Sequence, residues 1–476
     1  MLSLKDQHVL ILGLGDSGLA MARWCARNGA RVTVLDSREQ PSHLATLLAQ
    51  YPSVAFKSGA FEADAIEGSD IRAVFKSPGL SPQSVAPLWQ AAQAMGLWMG
   101  TELSLFVQAL SDLQATAAYQ PHVLAITGTN GKTTVTALTG LLLERAGLSV
   151  AVAGNIGPTL LDTLSQWLDG DAGLPQAWVL ELSSFQLEGV ANFEPTAAAL
   201  LNITQDHLDW HGDMQAYAQA KANVFGQQAL MLLNRDDPAT LAMLPTPEQI
   251  KKKQRPARNF LSFGSDVPNQ PGHYGLETVN GMTWLVRAME ADETRKRRRD
   301  EEEDIHLQRL MPADALRIRG RHNATNALAA LALATSAGCP LAPMLFGLRE
   351  YRGEPHRVEH VMTLRGVDAI DDSKGTNVGA TVAALEGLGA GSSARLILIA
   401  GGDGKGQDFA PLAPAVARHV KAVMLIGRQG VKGGESRVFE SAGPQGLRFV
   451  MSEPHSTLLL DDARVIHETT PIQPQG

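Results

Sequence analysis

Three features of the sequence predict an α/β fold of three domains. Short apolar runs alternate with helical patterns through most of the chain, which is the signature of parallel sheets with crossover helices. Two glycine-rich loops, "GLGDSG" and "TGTNGKTT", each lie between a strand pattern and a helix pattern. At 476 residues the chain exceeds one compact core, and roughly 150 residues per domain gives about three. The expected division is an N-terminal Rossmann-like domain at 1–110, a central domain at 111–340 and a third domain at 341–476.

Bulk properties narrow the class. The 49 acidic and 41 basic residues leave a net charge of −8, which argues against a nucleic-acid binder because that needs a basic face. Cys25 and Cys339 are the only cysteines, too few for a disulfide framework or a zinc cluster. The first strand is expected within about eight residues of the start, which leaves no room for a signal peptide. No uncharged apolar run reaches bilayer-spanning length. A cytoplasmic protein without membrane insertion is expected.

The N-terminal series opens with strands at 8–13 and 31–35 around a helix from about Ser17 to Asn28, stopped by Asn28-Gly29. Gly13-x-Gly15-x-x-Gly18 matches the dinucleotide fingerprint, and Asp36 lies near the spacing at which an acid meets a ribose. An apolar run ends in the turn "SPGLSP" at 77–82, and the first boundary is expected near 100–120, where "SDLQATAAYQPH" shows no clear period. The central series has strands at 122–127, 177–182, 197–203 and 229–234, a helix from about Lys132 to Arg145, and an alanine-rich helix at about 323–337. Unbroken apolar runs of this kind suit strands covered on both faces, so the sheet should be mainly parallel. Two charged stretches, 251–258 and 290–306, read as solvated insertions. The third series has strands at 367–371, 395–400 and 422–427.

The second glycine loop carries chemistry. "AITGTNGKTTVTAL" places a glycine-rich turn between a strand and a helix start, where backbone N–H groups and the helix N-terminus favour a polyphosphate. Gly128, Thr129, Asn130, Gly131, Lys132, Thr133 and Thr134 form this cradle, a shortened variant of the P-loop. The central domain is therefore expected to be P-loop ATPase-like. Lys132 should reach the terminal phosphates of ATP, and Thr133 should ligate Mg²⁺. Glu181 and His207 follow apolar runs on neighbouring strands and are candidate partners for that ion, although each alone reads equally as an ordinary strand-end or loop residue. On spacing alone, Lys221 in "YAQAKANVF" is an ordinary helix lysine.

With these residues in place, the chain resembles the Mur ligase family, ATP-dependent amide-forming enzymes of peptidoglycan precursor synthesis. The likeness is carried, in order, by "GLGDSG", "SPGLSP", "TGTNGKTT", "GNIG", "ELSSFQLE", "NITQDHLDWHG", "RGRHNATNALAA", "HRVEHV", "DDSKGTNVGAT" and "GGDGKGQDF". "ELSSFQLE" and "DDSKGTN" are similar to the branch that adds D-glutamate.

The resemblance implies UDP-N-acetylmuramoyl-L-alanine and D-glutamate as substrates, ATP and Mg²⁺ as cofactors, and a monomer. It implies that Lys221 is carbamylated and joins Thr133, Glu181 and His207 at the metal. It implies that Asn326, Arg357 and Asp372 surround the ATP. Asn155 and Ser183 would then lie near the UDP-sugar, and Lys374, Thr376 and Lys405 near the amino acid or the phosphates. Lys132, Glu181, His207, Lys221 and Lys374 become the catalytic set. The first loop is assigned to the substrate's nucleotide, with Gly15, Asp16 and Ser17 at the diphosphate, Asp36, Ser37 and Arg38 at the uracil and ribose, and Gly79 in the same pocket.

The chain also departs from the family pattern. It stops at "HETTPIQPQG", where members continue with a further strand and substrate-holding residues. The third, Rossmann-like domain is thus expected to be incomplete, with a strand lost and an edge exposed. Either a truncated sequence or a natively impaired protein would account for this, and weak or no ligation by this chain is expected. Three other readings remain open: a nicotinamide-dependent oxidoreductase, a sister Mur or folylpolyglutamate-type ligase, and a non-catalytic nucleotide binder.

Overall fold

A computed structural model describes residues 4–291, 305–389, 395–401, 408–426, 437–441, 447–451 and 464–466. The first sheet is wholly parallel. It comprises β1 (His8–Leu12), β2 (Arg31–Asp36), β3 (Ala55–Ser58), β4 (Ile71–Lys76) and β5 (Trp98–Gly100), in the order β3-β2-β1-β4-β5. The chain reverses direction across the sheet between β1 and β4, so a crevice opens above their carboxyl ends, where open sheets bind ligands. The glycine loop follows β1 and the Ser77-Pro78-Gly79 turn follows β4, so both rim this crevice.

Helix Glu102–Ala117 leads out of this domain. It spans the stretch that showed no period, so the boundary expected near residue 110 falls inside a helix. Its face carries Leu103, Phe106 and Ala109 into a core shared with the next domain, and Phe106 meets Trp178 edge-on at 4.9 Å.

The central sheet is also parallel. It is built from β6 (His122–Thr127), β7 (Val150–Gly154), β8 (Ala177–Glu181), β9 (Ala197–Leu200), β10 (Leu230–Asn234) and β11 (Phe260–Phe263), in the order β11-β10-β9-β6-β8-β7. Every residue of β8 and β9 is buried, as the unbroken apolar runs require. Helix Lys132–Arg145 begins and ends where expected, and helix Arg321–Ser336 packs over the same face.

A second, antiparallel sheet was not foreseen. β12 (Tyr274–Val279), β13 (Met282–Glu290) and β14 (Ile305–Pro312) form a meander. The charged insertion therefore joins the paired strands β13 and β14, and its residues 292–304 lie outside the described residues. The other basic stretch is only partly a solvated loop. Arg258 at its end is half-buried and donates to the carbonyls of Phe225, Gly226 and Ala229.

The third sheet is mixed. β15 (Glu359–Leu364) pairs antiparallel with β16 (Val367–Asp371), and β17 (Leu396–Gly401) pairs parallel with β18 (Val420–Ile426). β19 (Arg437–Ser441) and β20 (Leu447–Met451) extend it. β21 (Arg464–Ile466) lies parallel between β16 and β17.

Candidate active site

The central phosphate loop leaves β6 in the middle of its sheet, between β8 and β9, and runs into helix Lys132–Arg145. Gly128 and Gly131 adopt φ of +155° and +84°, conformations natural to glycine. A Cβ on Gly131 would lie 2.8 Å from Asn326 Oδ1, which puts Asn326 directly against the loop. The loop is pinned from β9: Asn130 N–H donates to Asn202 Oδ1 at 2.8 Å, and Asn202 Nδ2 donates back to the Asn130 carbonyl. Thr129 Oγ1 is 3.1 Å from the Tyr217 hydroxyl and accepts from the Thr204 N–H. Thr133 and Thr134 are buried in the first turn of the helix.

Two lysines converge on this loop. Lys132 Nζ donates to the carbonyls of Gly128 and Thr129, both at 2.9 Å, and Lys221 Nζ donates to the same Gly128 carbonyl at 2.8 Å. Lys221 is 2% exposed and lies over the Tyr217 ring. Burial lowers the basicity of both amines; for Lys221 the nearby Lys132 charge lowers it further, and it falls well below the usual lysine range. Asp206 and Glu181 act on both lysines in the opposite sense, so the four groups share one pocket.

Glu181 is the last residue of β8, is 3% exposed, and accepts from Asn155 Nδ2 at 3.0 Å. His207 follows Asp206 with a left-handed φ of +53° and meets Phe185 edge-on. Ser183 serves as a helix cap, accepting from the Gln186 N–H and donating to Gln186 Oε1.

The third domain enters the same pocket. Arg357 donates to Thr133 Oγ1 at 2.6 Å. Asn377 and Asn130 exchange side-chain amide hydrogen bonds at 2.7 and 3.1 Å. Asp372 accepts from the Val358 N–H, and burial pushes its carboxyl up to about 6 against that hydrogen bond and Arg357. Lys374 and Thr376 are exposed on the loop leading to Asn377. Lys405 lies outside the described residues.

Asn377, Asn202, Thr204, Asp206 and Tyr217 were not singled out from the sequence. A signal was present for Asn377: it precedes helix Val378–Gly389 and accepts from the Ala380 N–H, as asparagine does at a helix start.

The first glycine loop is a separate cradle. Gly13 has φ +81°, and a Cβ on Gly18 would lie 2.0 Å from the Gly13 carbonyl oxygen. Gly15 precedes helix Asp16–Arg27. Asp36 is buried, with its carboxylate accepting from the Leu14 N–H and from Arg38. Burial raises its carboxyl, but these hydrogen bonds prevail and hold it at about 2. Asp36 thus shapes the loop and orients Arg38. Asp16, Ser37, Arg38 and Gly79 are exposed around the crevice, Asp16 with His43 at 2.9 Å.

A phosphate loop with one buried and one half-buried lysine, joined to a second glycine-rich cradle on a contiguous core, suits an ATP-dependent amide-bond-forming ligase. Residues 126–334 match the Mur ligase middle domain, and residues 7–99 match the Mur ligase MurD-like, N-terminal domain. The UDP-N-acetylmuramoylalanine–D-glutamate ligase of Albidiferax ferrireducens is 65% identical over 426 residues, covering 90% of this chain and 84% of that protein. Its namesake from Burkholderia mallei is 56% identical, over 88% and 83%. This chain belongs to the Mur ligase family. A solved structure of UDP-N-acetylmuramate-alanine ligase from Thermotoga maritima shares the fold, with a TM-score of 0.50 and 20% identity over 89% of this chain and 86% of that one. Residues 418–476 match a different family, 2OG-Fe dioxygenase.

Proposed function

We propose that this chain joins D-glutamate to UDP-N-acetylmuramoyl-L-alanine with consumption of ATP, as a cytoplasmic monomer. The observation that carries the reading is the convergence of Lys132, Lys221, Glu181 and Arg357 on the phosphate loop, in a chain 65% identical to a relative of that name. A carboxylate oxygen of the UDP-sugar peptide attacks the γ-phosphorus of ATP; the bond to the bridging oxygen breaks, and ADP leaves. The amine of D-glutamate, having given its ammonium proton to solvent, then attacks the acyl carbon; the nitrogen gives a second proton to the departing inorganic phosphate or to solvent, and the phosphate leaves with the electron pair of the broken C–O bond.

Negative charge grows on oxygen in both steps. Lys132, the loop N–H groups and Arg357 are the groups placed to stabilise it. Lys374 and Thr376 hold the incoming amino acid at the pocket mouth.

Mg²⁺ would be held by Thr133, Glu181, His207 and Lys221 in carbamylated form. The residues fit such a group: Glu181 is a buried carboxylate, and the lowered basicity of Lys221 favours the neutral form of the amine that carbamate formation needs. When bound, the ion supplies Lewis acidity toward phosphoryl oxygens. With ATP and the UDP-sugar peptide but no D-glutamate, hydroxylamine should trap an acyl hydroxamate. Turnover with all substrates but no trapping would overturn the acyl-phosphate route.

Residues 418–476 match a family other than the Mur ligases, and on a second reading the remaining chain binds nucleotides without turnover. Calorimetric binding of ATP and the UDP-sugar peptide, with no ADP formed on adding D-glutamate, would establish it. ADP release that depends on D-glutamate and is not supported by L-glutamate would dismiss it.

A further inference from the structure

Glu102 is 2% exposed at the first position of helix Glu102–Ala117. Its Oε2 accepts from the Ser17 hydroxyl at 2.7 Å, in the first turn of helix Asp16–Arg27. Its Oε1 accepts from the Leu161 N–H at 3.0 Å, in the first turn of helix Leu160–Asp169. One carboxylate thus sits at three helix N-termini, where orphan N–H groups and the helix dipoles favour an acceptor.

The two bonded turns have different jobs. Ser17 belongs to the first glycine loop. Leu161 follows the loop in which the Gly154 N–H donates to the Pro158 carbonyl, the Asn155 N–H donates to the Glu181 carbonyl, and Asn155 Nδ2 donates to Glu181 Oε1. A continuous path therefore runs Ser17–Glu102–Leu161–Asn155–Glu181, from one cradle to the other. The same pair of helices meets again at Arg23–Asp162 (3.2 Å) and at Arg27–Asp169 (2.6 Å).

We propose that Glu102 is a positioning residue for the UDP-bearing substrate: by gripping Ser17 and the Leu161 amide on one carboxylate, it fixes the first glycine loop at a set distance from the Asn155–Glu181 side of the reaction centre. The substrate spans both cradles, so a loop free to shift loses affinity for the uridine end while the ATP loop, pinned separately by Asn202 and Thr204, is unaffected. This rests on the functional reading above, which places the UDP diphosphate at Gly15–Ser17.

The test separates reach from charge. Glu102→Gln keeps two hydrogen-bonding atoms at the same reach, since its amide oxygen can accept from Leu161 and its NH₂ can donate to Ser17 Oγ. Glu102→Asp keeps the charge but is one methylene too short to hold both partners; Glu102→Ala removes both bonds. Affinities for UDP-N-acetylmuramoyl-L-alanine and for ATP are measured separately by calorimetry on the full chain.

Loss of one such hydrogen bond is worth about a factor of five to ten. Glu102→Asp should weaken the UDP-sugar by that factor and Glu102→Ala by about its square, while ATP affinity stays within about twofold, and Glu102→Gln should match the wild type for both. Unchanged UDP-sugar affinity in Glu102→Asp, or equal losses for both ligands in the variants that fold, would overturn the proposal. Should Glu102→Ala fail to fold, the Asp and Gln pair still decides. Absence of UDP-sugar binding in the wild-type chain would instead remove the functional reading, and this proposal with it.

Discussion

The guanidinium of Arg357 donates to the Thr133 hydroxyl at 2.6 Å, joining the third domain to the first helical turn of the phosphate loop. Its Nε is buried without a hydrogen-bond partner among the described residues, so the side chain is only partly satisfied by them. A γ-phosphate entering the cradle would give the guanidinium an anionic partner and release Thr133 for a metal. Arg357→Ala should therefore lower ADP formation by about 100-fold or more, with UDP-sugar affinity within about twofold. Steady-state ADP release and calorimetry check the two halves.

Lys221 gives a second prediction. Burial and the neighbouring Lys132 charge lower the basicity of this amine, which favours its neutral form, and only the neutral amine can capture carbon dioxide. Isotopically labelled bicarbonate should produce a carbamate signal by NMR in the wild type and none in Lys221→Arg. Lys221→Ala should lose about 100-fold or more in turnover. A carbamate signal that persists in the arginine variant would place the modification elsewhere.

Gly18 is required by packing. A Cβ there would sit 2.0 Å from the Gly13 carbonyl oxygen, a clash with backbone that no rotamer change relieves. Gly18→Ala should cost on the order of 3 kcal/mol in unfolding free energy. Gly79, with nothing within 4 Å of its added Cβ, should tolerate alanine with a change of about 0.5 kcal/mol or less. Thermal unfolding of the two variants tests the contrast.

What the sequence disclosed follows from range. The helix at Lys132–Arg145 and the strands at Ala177–Glu181 and Val367–Asp371 are local patterns, apolar runs bounded by turns, and were legible. The antiparallel meander of β12–β14 was not, because the charged insertion interrupts the period between two strands that pair only in space. The partners of Asp36 were hidden for a related reason. The spacing that marks a ribose-binding acid does not reveal that Leu14 and Arg38 already occupy its carboxylate. Asn377 contacts Asn130 across 247 residues, and no local pattern encodes such a pair. The strand at Arg464–Ile466 was unforeseen because its 3 residues are too few to show a period and its partners, around Ala369 and Ile397, are distant in sequence.

Glu102 also predicts a pH dependence of stability. Burial pushes its carboxyl up from 4.5 to about 7, against the Ser17 hydroxyl and the Leu161 amide. Its folded-state pKa thus lies above the unfolded one, so its contribution is fully present below about pH 4.5 and is lost as pH rises through 7. Integrated over that window, the loss is about 3 kcal/mol. Other buried groups titrate in the same range: Asp372 is raised to about 6, and His273 and His322 are lowered to about 4 by burial. The total stability profile therefore mixes opposite slopes, and the informative quantity is the difference between wild type and Glu102→Gln, in which those groups cancel. The variant should be the less affected by alkalinisation, gaining on the wild type steadily between pH 4.5 and 7 in paired denaturant titrations. A constant difference across that window would mean that the carboxyl titrates at its ordinary value and that the three helix N-termini hold it as a carboxylate throughout.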